Sequence, residues 1–183
     1  MIKKSPKTGI GPKIHPTAFI AKDVVIIGDV EIGAYTNVWF GVKIRASVCK
    51  IRIGNHTSIQ ENVVIHSEPG TQCNIGNYII IGHLAMVHGP CEIKDYSMVG
   101  LSSTILQGAE LGQGAVLAGG SVLRGQAKDY GLYAGAPAEF KKYYGEKRIN
   151  SGKSSAIEYV DNGQNFKQRN FDQPIPKEFL IEE

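Results

Sequence analysis

Isoleucine, valine or leucine recurs at a spacing of six along most of this chain. The first run is Ile14, Ile20, Ile26, Ile32, Val38 and Ile44. Three extra residues precede Ile53, Ile59 and Ile65, and four more precede Ile75, Ile81, Val87, Ile93, Val99, Ile105, Leu111, Leu117 and Leu123. These residue types fill 43 of 183 positions, so eighteen successive hits do not follow from composition. A fixed short period is the mark of a coiled solenoid.

An α-helix is excluded over this stretch, because a step of six puts successive aliphatics on opposite sides of a 3.6-residue helix. Long flat strands are excluded by recurring glycine (Gly33, Gly54, Gly76, Gly82, Gly100, Gly112), read as the residue of tight backbone corners. The pattern predicts one short strand per hexad, with the aliphatic side chain inward and coils stacked at about 4.8 Å. Residues 1–13 form a polar lead-in, 14–137 the solenoid, and Gly135-Ala136-Pro137 a terminating turn. The segment 138–149 (AEFKKYYGEKRI) is read as a short C-terminal helix, and 150–183 as an extended tail.

Charge and cysteine content narrow the classes of function. Twenty Lys and Arg against seventeen Asp and Glu give a net charge of +3 with no long basic run, which argues against a nucleic-acid partner. Cys49, Cys73 and Cys91 form no C-x-x-C pair and are read as reduced thiols. No apolar run approaches the roughly 20 residues of a membrane span, and the first residues lack the apolar stretch of a signal peptide. A cytoplasmic protein is expected.

If three hexads close one coil, those starting at 44, 65 and 87 share a face in successive coils. Their next, outward residues are Arg45, His66 and His88, so the two histidines are vertical neighbours. On another face Gln60 and Glu61 lie one coil below Gly82 and His83, with Glu61 beneath His83. Two half-sites on different faces of a rigid prism are hard to bring together within one chain, and converge readily if two subunits dock side by side in a closed cyclic oligomer. Ile27 and Leu106, flanking the two-histidine column, are apolar as a covered surface requires. Three neutral imidazoles with one open position form the ligand set of a hydrolytic or hydrating Zn²⁺ site, and Fe²⁺ or Co²⁺ suits the same set. His15 and His56 lie outside this cluster.

These residues resemble the γ-class carbonic anhydrase-like proteins of the hexapeptide-repeat superfamily. The match rests on IHPTAFIA (14–21), Arg45, Ile53-Gly54, Ile59-Gln60-Glu61, His66, GHLAMVH (82–88) and GAPA (135–138). The resemblance implies an all-β solenoid: a left-handed parallel β-helix, three hexads per triangular coil and about six coils, with a C-terminal α-helix. It implies a homotrimer with intersubunit metal sites, His66 and His88 from one chain and His83 from its neighbour. It further implies reversible hydration of CO₂ to bicarbonate by a metal-bound hydroxide, a lyase activity. Gln60, Glu61 and Arg45 would serve that reaction, and Tyr133 matches a family tyrosine near the site. Two departures temper the activity expected. Ser47 stands where the family has an aspartate pairing with the arginine, and the loop carries Val48 and Pro69, with only Glu68 near, in place of proton-shuttle carboxylates. An acyltransferase or thioesterase acting on acyl-CoA, and a catalytically weak metal-binding scaffold, are the alternatives.

Overall fold

The structure is a computed structural model describing residues 1–182, and in it the six-residue beat becomes three vertical columns. One column runs Ile14, Ile32, Ile53, Ile75, Ile93, Leu111 and Ala127. A second runs Ile20, Val38, Ile59, Ile81, Val99, Leu117 and Tyr133. The third runs Ile26, Ile44, Ile65, Val87, Ile105 and Leu123. All of these pairings are parallel, and the chain forms a left-handed parallel β-helix. Each of the eighteen hexad residues is at most 3% exposed. Burying such a side chain contributes about 1.5–3 kcal/mol, so the columns are the main source of stability. The second column has seven members, giving about seven turns rather than six. Tyr133 extends it beyond the last aliphatic hexad.

The corner glycines answer to space rather than to a left-handed backbone. A Cβ on Gly54 would lie 2.6 Å from Asn77 Oδ1 and 2.7 Å from the Gly76 carbonyl oxygen. That asparagine oxygen accepts the Asn55 N–H at 2.8 Å, and Asp95 Oδ1 accepts the Asn77 N–H at 2.8 Å one coil on. Glycine thus makes room for a side-chain cap from the next coil. The left-handed position falls two residues later, on Tyr35, His56, Tyr78 and Tyr96, with φ between 55° and 62°.

Those four residues stack as a ladder up one corner, with ring centroids 5.3, 4.7 and 5.4 Å apart. Face contact between rings offsets part of the cost of a non-glycine left-handed backbone. His56 Nδ1 is buried without a hydrogen-bond partner. Burial, helped by the Lys153 charge, pushes the His56 pKa below its ordinary value. The unfolded chain therefore takes up a proton here more readily than the folded one. Stability contributed at this position is complete above about pH 6.5 and is lost as pH falls toward the depressed folded value. His56→Phe, which keeps the stack, is expected to flatten the decline in melting temperature over that acidic window, as thermal melts at stepped pH will show.

Beyond the solenoid the chain departs from the sequence expectation. Glu139–Tyr143, expected within a helix at 138–149, is a strand antiparallel to Gly131–Ala134 that closes the end of one sheet. The aromatic residues Phe140, Tyr143 and Tyr144 favour that extended edge, and Gly145 at φ 78° breaks any continuous helix. The helix instead spans Arg148–Gln168, where an extended tail was expected. Its buried stripe is Gly152, Ala156, Val160 and Gly163, a helical spacing in residues too small to register as an apolar face. A Cβ at Gly152 would lie 2.6 Å from the Tyr96 carbonyl oxygen, so the stripe permits close approach to the prism. Phe166 then packs against Phe19 and Trp39. The following residues return to the first coils, through bridges of Asp172 to Ala21 and Leu180 to Ile14, with Phe179 buried. Glu183, the last residue of the expected tail, lies outside the described residues.

Cys73 and Cys91 are register partners with thiols 3.3 Å apart, and the three cysteines are free thiols. Among the described residues no helix is long and apolar enough to cross a membrane.

Candidate metal centre

The third column places the chemistry. Strands Val64–Ser67 and Met86–Gly89 pair in register, setting His66 directly beside His88, with Arg45 one coil below. The two imidazoles face each other edge-on, centroids 5.6 Å apart. His66 Nδ1 lies 2.7 Å from the backbone carbonyl of Arg45. A carbonyl only accepts, so Nδ1 carries the proton and Nε2 keeps its lone pair for a metal.

His83 is prepared in the same way from a different corner. Its Nδ1 lies 2.7 Å from a Glu61 carboxylate oxygen one coil below, and its backbone N–H donates to Gln60 Oε1 at 3.1 Å. A carboxylate likewise only accepts, so His83 presents Nε2 outward on a side chain that is 51% exposed. Gln60 is buried, and its carbonyl end is spent on the backbone. Imidazoles whose second nitrogen is tied to a carbonyl or carboxylate are the usual metal-ligating arrangement. The donor set fits a zinc-type ion.

Within one protomer the set stays divided. Among the described residues no three His, Cys, Asp or Glu side chains converge closely enough to hold a metal. His66 and His88 open instead onto a shallow cavity of about 330 Å³ walled by Val25, Ile27, Arg45, Val64 and Met86. A larger cavity of about 430 Å³ lies on the third face beside His15, Arg52 and Glu92, and holds none of the three histidines.

Other expected residues fare differently. The Arg45 side chain is exposed and forms no ion pair among the described residues, while the Ser47 carbonyl accepts the Ser5 hydroxyl at 2.7 Å. Arg45 acts on the site through its carbonyl, a role that no side-chain pattern announces. Tyr133 is not brought beside the histidines by the strand register. It occupies an inward register position beside Leu117, 7% exposed, and its hydroxyl accepts the Lys128 N–H at 2.8 Å. An inward tyrosine at the end of the prism caps the core and saturates its own polar atom. Glu68 was noted in the sequence only as a nearby acid, yet its Oε1 lies 3.6 Å from His88 Nε2 and accepts Gln107 Nε2 at 2.7 Å.

A hexad-repeat β-solenoid carrying paired, acceptor-tethered histidines on its outer faces defines the class. The family model described as bacterial transferase hexapeptide (six repeats) matches residues 11–46. The chain is 38% identical over 164 residues to a carbonic anhydrase of Geobacillus kaustophilus, spanning 88% of this chain and 90% of that one. It is 28% identical over 184 residues to the mitochondrial gamma carbonic anhydrase 2 of Arabidopsis thaliana, spanning 92% of this chain and 66% of that one. A Methanocaldococcus jannaschii relative, also carrying carbonic anhydrase in its name, is 49% identical over 86 residues, with 54% of its own length spanned. These last two relatives are thus spanned for less than two thirds of their length. Among solved structures, a hexapeptide transferase family protein of Anaplasma phagocytophilum superposes with a TM-score of 0.84 at 34% identity, spanning 91% of this chain and 98% of that one. The chain belongs to the γ-class carbonic anhydrase-like family of hexapeptide-repeat proteins.

Proposed function

We propose that the protein is a zinc-dependent carbonic anhydrase that interconverts CO₂ and bicarbonate at sites between the subunits of a homotrimer. The observation that carries this reading is that His66 and His83 each commit Nδ1 to a protein acceptor, leaving Nε2 for a cation. A zinc ion on three neutral imidazoles lowers the pKa of water at its open position to about 7, supplying the nucleophile at neutral pH.

The chain's own residues supply the rest. Glu61 holds the His83 tautomer and ring direction, and the Arg45 carbonyl does the same for His66. The amide N–H groups of Gln60, whose carbonyl is already engaged, are left to donate to an oxygen of CO₂ or bicarbonate. Ile27, Val64 and Met86 give the site apolar walls, suited to a nonpolar gas and to a dry subunit contact. The test is CO₂ hydration by zinc-loaded and iron-loaded protein against chelated protein. Turnover above buffer that chelation abolishes supports the reading, and bound metal without turnover reduces the protein to a scaffold.

Acyl transfer is the second reading, favoured by the likeness to a hexapeptide transferase family structure. It needs one histidine as base and has no use for three, two of them with tethered Nδ1 atoms. Turnover of an acyl-CoA that is insensitive to chelation would favour it.

A further inference from the structure

We propose that Cys73 and Cys91 form an oxidation site, at which a hydroperoxide converts two thiols into one intrachain disulfide. The site is independent of the metal centre and its chemistry. Both side chains are buried, at 0% and 7% exposure, in register on the neighbouring strands Gln72–Ile75 and Cys91–Ile93. Their sulfurs lie 3.3 Å apart, one thiol donating to the other. Neighbouring strands run about 4.8 Å apart, inside the roughly 4.4–6.8 Å Cα separation that a disulfide requires. Closing the sulfurs to about 2.05 Å asks for small side-chain rotations and no change of register. Cys49 is not a competing partner, because its thiol is directed at the Arg45 carbonyl, 3.9 Å away.

Packing explains one buried cysteine, which behaves as a small apolar residue, but does not ask for two with their sulfurs in contact. The two thiols also differ. The hydrogen bond to Cys91, and then burial, hold the Cys73 thiol well above its ordinary pKa. Cys73 therefore keeps its proton, and Cys91, the more accessible of the two, is the sulfur that attacks. The Cys91 thiolate bonds to one peroxide oxygen, the O–O bond breaks, and hydroxide or alkoxide leaves, giving a sulfenic acid. The Cys73 sulfur then attacks the Cys91 sulfur. The S–O bond breaks, and the departing hydroxide takes the Cys73 proton and leaves as water. The two sulfurs lose two electrons and the hydroperoxide gains them. Because the two cysteines are register partners, the new bond closes one complete coil of the solenoid, the coil that carries His83 and His88.

Hydrogen peroxide treatment of the native full-length protein tests this, read by intact mass and by peptide mapping without reduction. The expected product is about 2 Da lighter than the untreated chain and yields a linked Cys73–Cys91 peptide that dithiothreitol separates. Cys49→Ala is expected to give the same product, and Cys91→Ser to give none. The oxidised protein is expected to melt about 5 °C higher than the reduced one, since the link restricts the unfolded chain. Sulfinic or sulfonic acid without a link, a link that involves Cys49, or a link formed only in denaturant would each overturn the proposal. So would an oxidised protein that melts no higher than the reduced one, because the bond would then not fit the native corner.

Discussion

His83→Ala is expected to cut bound metal from about one ion per chain to background while leaving the protomer's own melting temperature almost unmoved. The argument is one of location. His83 stands at a corner with its side chain half exposed, and its ring is tied to the Glu61 carboxylate. Surface changes of that kind usually cost within about 0.5 kcal/mol. Its Nε2, by contrast, would be one of three imidazole donors in the proposed intersubunit site. Losing a direct ligand should weaken binding by more than the roughly 10–100-fold that outer-shell changes cost. Metal analysis of purified protein, paired with a melt of chelated samples, reads both quantities. Full metal content in His83→Ala would place the ion elsewhere.

Met86→Glu is expected to abolish assembly and, with it, metal binding, although no ligand is touched. Met86 lies on the outward face between Val64 and Thr104 and is 37% exposed, as Val64 is at 36%. Such residues beside a histidine pair have no reason to be apolar unless another surface covers them. An unpaired carboxylate buried there costs several kcal/mol, repeated at every interface of a cyclic assembly. Sedimentation should show monomers, and metal analysis an empty protein with a normal circular dichroism spectrum. A metal-loaded monomer would contradict the intersubunit site.

The solenoid was legible because its signal is one-dimensional. A six-residue aliphatic beat reports each inward position separately, and the register of all three columns followed from it, across the extra residues after 44 and 65 as well. The histidine pairing was legible for the same reason, since outward neighbours inherit the register of the inward ones. Three things escaped. The helix at Arg148–Gln168 hid because close packing selected Gly152, Ala156 and Gly163 where a large apolar stripe would have been visible. Tyr133 was named on a family match, which gives a residue's identity but not whether it points in or out; in the structure it pairs with Leu117 and is buried. The partners of His66 and Glu68 were invisible because an accepting backbone carbonyl and a donating glutamine 39 residues away leave no motif.

The central claim is that one protomer's His66 and His88 share an ion with its neighbour's His83, and subunit complementation tests it most directly. His83→Ala and His88→Ala chains, prepared separately, should each be metal-poor and inactive. Co-expressed, they should form mixed trimers in which about one quarter of interfaces combine an intact histidine pair with an intact His83. Recovery of metal and of CO₂ hydration to about that fraction is the expected result. A mixture no better than its parts, or either variant alone keeping full metal, would contradict the account.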